Sequence, residues 1–252
     1  MLALGLTAEA WRRKLIGMQK PNNLDPFAEI ILERLRLDPA SSEIILGGYF
    51  GLQHYLDYRR THDIDAWWRH RANVETEKAI RRVMQEVGAE RNARYQERRF
   101  GETISFEIAE PDRRRMSFQI AVRDIAIDAP QASPWNPILI ETLRDNIASK
   151  MNALVRRGAP RDFLDIRMAV DSGMVSKEEC WQLWLLKNPG QRVAEAMAMT
   201  LLNLENLEQR RPLNQIEDIA DRANAQVVRN WYRSDFLRAK MIDWNFRDRK
   251  PE

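Results

Sequence analysis

Two neighbouring segments of the sequence decide the fold. They are Ile44-Ile45-Leu46-Gly47-Gly48-Tyr49-Phe50-Gly51-Leu52 and, shortly after it, Arg60-Thr61-His62-Asp63-Ile64-Asp65. An apolar run typical of a buried strand enters two glycines, a short helix follows, and a second strand then opens with two acids. Because successive side chains of a strand point to opposite faces, Asp63 and Asp65 project together while Ile64 faces the core.

Two carboxylates this close repel each other unless a cation lies between them. Mg²⁺ favours carboxylates combined with substrate phosphates, so Asp63 and Asp65 are the predicted metal ligands, in a site with room for one ion or two. Gly47 and Gly48 let the backbone approach a phosphate closely. These residues predict a place for a metal-bound nucleoside triphosphate. The plainer alternatives are a tight turn without a ligand and two solvated acids at a strand start.

A second group of charged residues follows about 85 residues later, with Lys150 first and Arg161-Asp162-Phe163-Leu164-Asp165 after it. A lysine on a helix is a flexible point charge suited to phosphate, although any exposed lysine on a helix looks the same. Asp162 and Asp165 share one helix face because they are three residues apart. Asp162 also lies near a helix start, where a favourable interaction with the helix dipole is the ordinary explanation.

Taken in order, Gly-Gly, Asp-x-Asp and Lys…Arg-Asp-x-x-Asp resemble the motifs of the AbiEii/AbiGii nucleotidyltransferase toxins, within the polymerase-β-like superfamily. The resemblance implies Mg²⁺-dependent transfer of a nucleotidyl group from a nucleoside triphosphate to an acceptor hydroxyl, with tRNA or another RNA as acceptor. It also implies a cognate antitoxin and a role in abortive infection. The implied catalytic residues are Asp63, Asp65, Lys150 and Asp162, and the implied triphosphate contacts are Gly47, Gly48, Lys150 and Arg161.

One departure from the superfamily pattern concerns the third carboxylate, which many members carry on a neighbouring strand. The expected position here is Gln119, a weak ligand for a hard cation, and Glu107 is the acid that could replace it. This departure sustains two alternatives: a catalytically decayed nucleotide- or RNA-binding protein on the same fold, and a toxin–antitoxin interaction module.

Composition excludes several classes of protein. No apolar run approaches the roughly 20 residues needed to cross a bilayer, and the single cysteine, Cys180, rules out a disulfide framework. A soluble protein of a reducing cytoplasm is therefore expected. The formal net charge is only +3, but arginines cluster at 91, 94, 98, 99 and 113–115, which predicts either an RNA-binding surface or a solvated turn.

The order of predicted elements indicates an α+β fold: a small mixed β-sheet flanked by helices, with an all-helical C-terminal region. Two helices are expected between residues 8 and 38, a hairpin at Thr103–Ile108 and Met116–Val122, and a long helix over Ile138–Val155. The predicted division is an N-terminal helical segment at 1–42, a nucleotidyltransferase core at 43–172 and a helical region at 173–252.

Overall fold

The computed structural model describes residues 18–111, 115–123 and 125–239. The chain forms two compact units, Met1–Ser149 and Lys150–Glu252, so that the boundary falls inside one continuous helix. The predicted α+β class is confirmed. The predicted boundaries at residues 42 and 172 stay predictions, and most of the first predicted helix lies outside the described residues.

The first unit is built on a seven-stranded mixed sheet with the strand order β3-β4-β5-β2-β1-β7-β6. The β2–β5 and β1–β7 pairs are parallel, and the other pairs are antiparallel. The strands are β1 (Ile44–Gly47), β2 (Asp63–Trp68), β3 (Arg94–Phe100), β4 (Thr103–Ala109), β5 (Arg115–Ala121), β6 (Gln131–Ala132) and β7 (Leu139–Ile140).

Four helices accompany this sheet: α1 (Pro26–Leu35), α2 (Gly48–Gln53), α3 (Val74–Glu90) and α4 (Leu143–Arg156), which continues into the second unit. Local chemistry sets the starts of two of them. The Asp25 side chain accepts a hydrogen bond from the Phe27 amide at the start of α1, and Asn73 accepts from two amides at the start of α3. Such caps satisfy backbone donors that a helix leaves unpaired.

The two faces of the sheet differ in chemistry. One face carries fully buried apolar side chains, among them Ile64, Phe118 and Phe106, and packs in the core with α1 and α3. Register places Asp63 beside Ser117 and Asp65 beside Gln119 on the other face. The apolar core of the first unit therefore lies on one face of the sheet, and the opposite face carries polar residues such as Asp63, Ser117 and Gln119.

The second unit is helical throughout its described residues, as predicted for the C-terminal region. After the end of α4 it contains α5 (Pro160–Asp171), α6 (Lys177–Lys187), α7 (Val193–Arg210) and α8 (Ile219–Ser234). The fully buried Tyr232 donates its hydroxyl to the carbonyl oxygen of Phe163 at 2.9 Å, which ties α8 to α5. No helix among the residues described is long and apolar enough to cross a membrane.

Three elements differ from the sequence-based expectation. Helix α2, which the sequence predicts over Tyr49–Tyr58, ends already at Gln53. The helix predicted from Ile138 begins only at Leu143, because Leu139 and Ile140 form β7 beside β1. The arginine-rich segment Arg94–Phe100 is a full strand at the sheet edge, paired with β4.

Candidate functional site

The turn between β1 and α2 carries two glycines, and a side chain at either position would displace its neighbours. A Cβ atom on Gly48 would lie 2.0 Å from Asp65 Oδ2, and the backbone there has φ +57°. A Cβ atom on Gly47 would lie 2.2 Å from Trp67 Nε1 and 2.8 Å from Glu141 Oε2. The glycines thus make room for an acidic side chain on each side of the turn.

Asp63 and Asp65 open β2 on the polar face, both half-buried, while Ile64 between them is fully buried. Ser117 Oγ donates a hydrogen bond to Asp63 Oδ1 at 2.7 Å. Asp65 is the register partner of Gly47 on one side and of Gln119 on the other. The two predicted metal ligands are therefore neighbours on one surface, directly beside the glycine turn.

The residues around these acids fit a metal ion that binds together with substrate. Glu107 shares a register row with Ser117 and Asp63, but it lies two strand spacings from Asp63, about 10 Å, and 3.9 Å from Arg98. Among the described residues no group of three His, Cys, Asp or Glu side chains could hold a metal ion. Two carboxylates completed by phosphate oxygens and water are a donor set that Mg²⁺ accepts.

A buried charge cluster beside the turn was missed by the sequence analysis. Glu141 directly follows β7 and donates its amide N–H to the Leu46 carbonyl. Its carboxylate lies 3.5 Å from Arg123 Nε, and Asp145 lies 2.9 Å from Arg123 Nη2. Glu141 and Asp145 are fully buried. The available signal was an acid pair four residues apart, but the sequence predicted this segment as part of the long helix over Ile138–Val155.

Lys150 and the residues predicted to act with it lie in the second unit. Lys150 is buried, which excludes an ordinary exposed lysine, and its Nζ atom lies 2.7 Å from Asp165 Oδ2. Asp162 accepts hydrogen bonds from Arg157 at 2.9 and 3.1 Å and from the Ala159 amide at 3.1 Å. Asp162 therefore caps α5, as the ordinary explanation holds. Asp165, which the sequence left without a role, is the acid that contacts Lys150.

The structure separates the arginine cluster into different surfaces. Strand alternation places Arg94, Arg98 and Arg115 on the same face of the sheet as Asp63. Arg99 points to the opposite face, where it forms an ion pair with Glu77 of α3. The guanidinium of Arg91 lies 5.5 Å from the centre of the Phe27 ring. Arg113 and Arg114 lie outside the described residues.

Three histidines and the cysteine do not join the site. His62 contacts Asp25, the residue that caps α1, at 2.6 Å. His54 donates to the Phe50 carbonyl within its own helical turn, His70 contacts Glu43, and Cys180 is buried in α6.

The comparisons with known proteins agree with the motifs. The sequence model of the family described as "Nucleotidyl transferase AbiEii toxin, Type IV TA system" matches residues 30–237. Neither the curated proteins nor the solved structures contained a match. The family match spans both compact units and includes the glycine turn, both acids of β2 and Lys150. The chain belongs to the AbiEii family of nucleotidyl transferase toxins.

Proposed function

We propose that this chain transfers a nucleotidyl group from a nucleoside triphosphate to an acceptor hydroxyl, with Asp63 and Asp65 as the ligands of Mg²⁺. The observation that carries the proposal is the close packing of the Asp65 carboxylate against Gly48, with Asp63 beside it on the same face. A glycine turn next to two acids is suited to backbone contact with a phosphate and to a cation shared with it.

Each residue of the polar face has a distinct role in this proposal. Mg²⁺, when bound, supplies charge neutralisation for the triphosphate and the developing pyrophosphate. Gly47 and Gly48 contact the triphosphate through their backbone. Ser117 holds one oxygen of Asp63. Because Ser117 and Gln119 cannot act as bases at neutral pH, the proton of the acceptor hydroxyl passes to Asp65 or to water.

The sequence pattern supports a contribution from the second unit. Lys150 and Arg161 are proposed to contact the triphosphate as positive charges. Asp165 is added to the set as the partner that holds Lys150 Nζ. Asp162 is retained as a motif residue, with its carboxylate engaged by Arg157 and by the start of α5.

RNA is the proposed acceptor class, and tRNA is one member of it. Arg94, Arg98 and Arg115 share the sheet face of the two acids, and side chains of this kind bind a phosphodiester backbone. A toxin of a type IV toxin–antitoxin system implies a cognate antitoxin, and we propose that an antitoxin protein is the partner of this chain.

The test is transfer of label into RNA. The protein is incubated with Mg²⁺, total RNA and each triphosphate in turn, labelled either at the α- or at the γ-phosphate. Nucleotidyl transfer places only the α-label in the product. Asp63→Asn and Asp65→Asn should each lower the rate by at least about 100-fold, because charge stabilisation in the transition state is lost. Both variants should keep the wild-type melting temperature within a few degrees.

Glu86→Gln is the matched control, since Glu86 is an exposed acid of α3 whose carboxylate lies 3.9 Å from Arg82. It should retain full transfer. Full activity in a folded Asp63 or Asp65 variant would show that these acids are not the metal ligands. Triphosphate binding by the wild type without any transfer to RNA would favour the decayed-enzyme alternative.

A further inference from the structure

Asn146 connects helix α4 to the glycine turn. Its Nδ2 atom donates a hydrogen bond to the carbonyl oxygen of Gly48 at 2.9 Å, across 98 residues of sequence. The same Nδ2 atom lies 2.6 Å from the position that a Cβ on Gly51 would take. The side chain of Asn146 is fully buried, so it is packed directly onto the backbone of the β1–α2 turn.

The burial of Asn146 is costly for stability. Its Oδ1 atom is buried and has no hydrogen-bond partner in the part of the chain that the structure describes. An unsatisfied buried acceptor costs about 1–3 kcal/mol, so a leucine, which has the same branching without polar atoms, would serve packing at least as well. An asparagine that stabilises poorly points to a specific use of its donor group.

Glu141 and Arg123 help to hold the Nδ2 group of Asn146, the hydrogen-bond donor, in place. The Glu141 Oε2 atom lies 3.4 Å from Asn146 Nδ2, and its Oε1 atom accepts from Ser149 Oγ at 3.3 Å. Arg123 lies 3.5 Å from that same Oε1. Since Glu141 is itself fixed to Leu46 through its backbone, the asparagine amide is held in one orientation.

Gly48 in turn forms one wall of the metal-ligand site. A Cβ on Gly48 would lie within 2.6 Å of the Cβ, Cγ and Oδ2 atoms of Asp65, so the Asp65 carboxylate rests on the Gly48 backbone. A shift of that backbone therefore displaces the carboxylate, because the two are in close contact.

We propose that Asn146 is a positioning residue for Asp65, acting through the hydrogen bond to the Gly48 carbonyl. The inference rests on the proposed function, in which Asp65 is a metal ligand, and assigns to α4 a role in shaping that site. Nothing in the motif Gly-Gly…Asp-x-Asp includes Asn146.

Two variants test the contact in independent ways. Asn146→Leu deletes the donor and the unsatisfied acceptor while keeping the branched shape of the side chain. Gly51→Ala keeps the asparagine but pushes its Nδ2 aside, although alanine inside a helix would otherwise stabilise α2. Asn152→Leu is the matched control, because Asn152 is a buried asparagine of the same helix whose Oδ1 accepts from Asn188.

The first measurement is the affinity for Mn²⁺, determined by electron paramagnetic resonance in the presence of a non-hydrolysable triphosphate analogue. The second is the rate of amide hydrogen exchange of residues 46–53 in the absence of metal. Asn146→Leu and Gly51→Ala should weaken Mn²⁺ binding by about tenfold, which corresponds to about 1.4 kcal/mol, and should speed exchange in this segment. Their melting temperatures should stay within a few degrees of wild type. Asn152→Leu should leave Mn²⁺ affinity and the exchange of residues 46–53 unchanged.

Asp65→Asn separates failure of this inference from failure of the proposed function. Wild-type Mn²⁺ affinity in both Asn146→Leu and Gly51→Ala, with affinity lost in Asp65→Asn, would overturn the positioning role alone. Wild-type affinity in Asp65→Asn as well would overturn both. If Asn146→Leu fails to fold, Gly51→Ala alone decides between these outcomes.

Discussion

At the scale of single residues, Gly48 is the position where backbone conformation and site chemistry coincide. Alanine there would be strained by φ +57°, which costs about 1–2 kcal/mol, and would also displace the Asp65 carboxylate. Gly101 is a matched control, since it has φ +59° and no described atom lies within 4 Å of the place that an added methyl group would take. We expect Gly48→Ala to lose at least as much stability as Gly101→Ala in urea titrations, because it adds the clash with Asp65 to the same backbone strain, and only Gly48→Ala to lose nucleotidyl transfer. Equal transfer in the two variants would contradict the packing argument.

His54 gives the protein a pH dependence that is independent of the site. Burial lowers the pKa of His54 from 6.5 to about 4, against the opposing effect of its hydrogen bond to Phe50. Between these two pH values the unfolded chain binds a proton that the folded chain does not, so stability falls as pH falls from 6.5 to about 4. The loss attributable to this group is about 3 kcal/mol.

The variant His54→Phe should flatten this part of the stability curve, measured by urea unfolding at pH 7, 6, 5 and 4. Phenylalanine keeps an aromatic ring against Trp135, which contacts the imidazole at 5.6 Å between ring centres. The exposed His70 serves for comparison, and His70→Gln should keep the wild-type slope. An unchanged slope in His54→Phe would show that the buried imidazole does not set it.

At the scale of elements, the sequence predicted the strands and helices in which buried residues recur at regular intervals. Strands β2, β4 and β5 alternate between buried and polar residues, and α3 repeats apolar residues at helical spacing. Strand β3 lacks this signal, because on its α3-facing side Glu97 and Arg99 form ion pairs in place of apolar contacts. Such charged residues are common in edge strands, where they discourage pairing with other chains.

Strand β7 was missed for a different reason. Its two residues, Leu139 and Ile140, are too few to show alternation, so with Ile138 they joined the periodic pattern of α4 that follows them. The same error concealed Glu141, whose burial depends on the pairing of β7 with β1. Local patterns do not encode long-range pairing, so this half of the site could not be predicted.

The location of the arginines on β3 and β5 yields a prediction for RNA binding. Arg94 and Arg115 are both register partners of Ala109 and belong to the face that carries the two acids. Arg94→Gln combined with Arg115→Gln should weaken RNA binding and reduce the slope of log affinity against log salt by about 1–2 units, through lost counterion release. Triphosphate affinity should not change, since neither arginine adjoins the glycine turn.

Arg71→Gln is the control for this experiment, because exposed Arg71 follows the opposite end of β2 from Asp63. It should leave the salt slope as in wild type, measured by filter binding across a series of salt concentrations. A wild-type slope in the double variant would instead place the acceptor on another surface and leave the arginines as a solvated edge.

At the scale of the whole molecule, the motifs predicted the family but not every contact between the motif residues. Gly47, Gly48, Asp63 and Asp65 converge on one turn of the first unit, as strand alternation required. The contacts of the second unit could not be predicted in the same way. The spacing of Asp162 and Asp165 places both on one helix face but does not indicate which of them contacts Lys150. Tertiary packing decides this, and it engages Asp162 with Arg157 while Asp165 contacts Lys150.

The Lys150–Asp165 contact therefore contributes to folding stability, whether or not Lys150 also acts in transfer. The effect on stability and the effect on transfer activity can be measured separately. Removing one member of a buried ion pair costs about 3–5 kcal/mol, whereas replacing both by apolar residues of similar size is often neutral. Lys150→Met should be strongly destabilised, and Lys150→Met combined with Asp165→Leu should recover most of that stability in urea titrations. If Lys150 acts on the triphosphate, the stable double variant will still lack transfer activity. Recovery of both stability and transfer in the double variant would restrict Lys150 to a structural role and remove it from the proposed site.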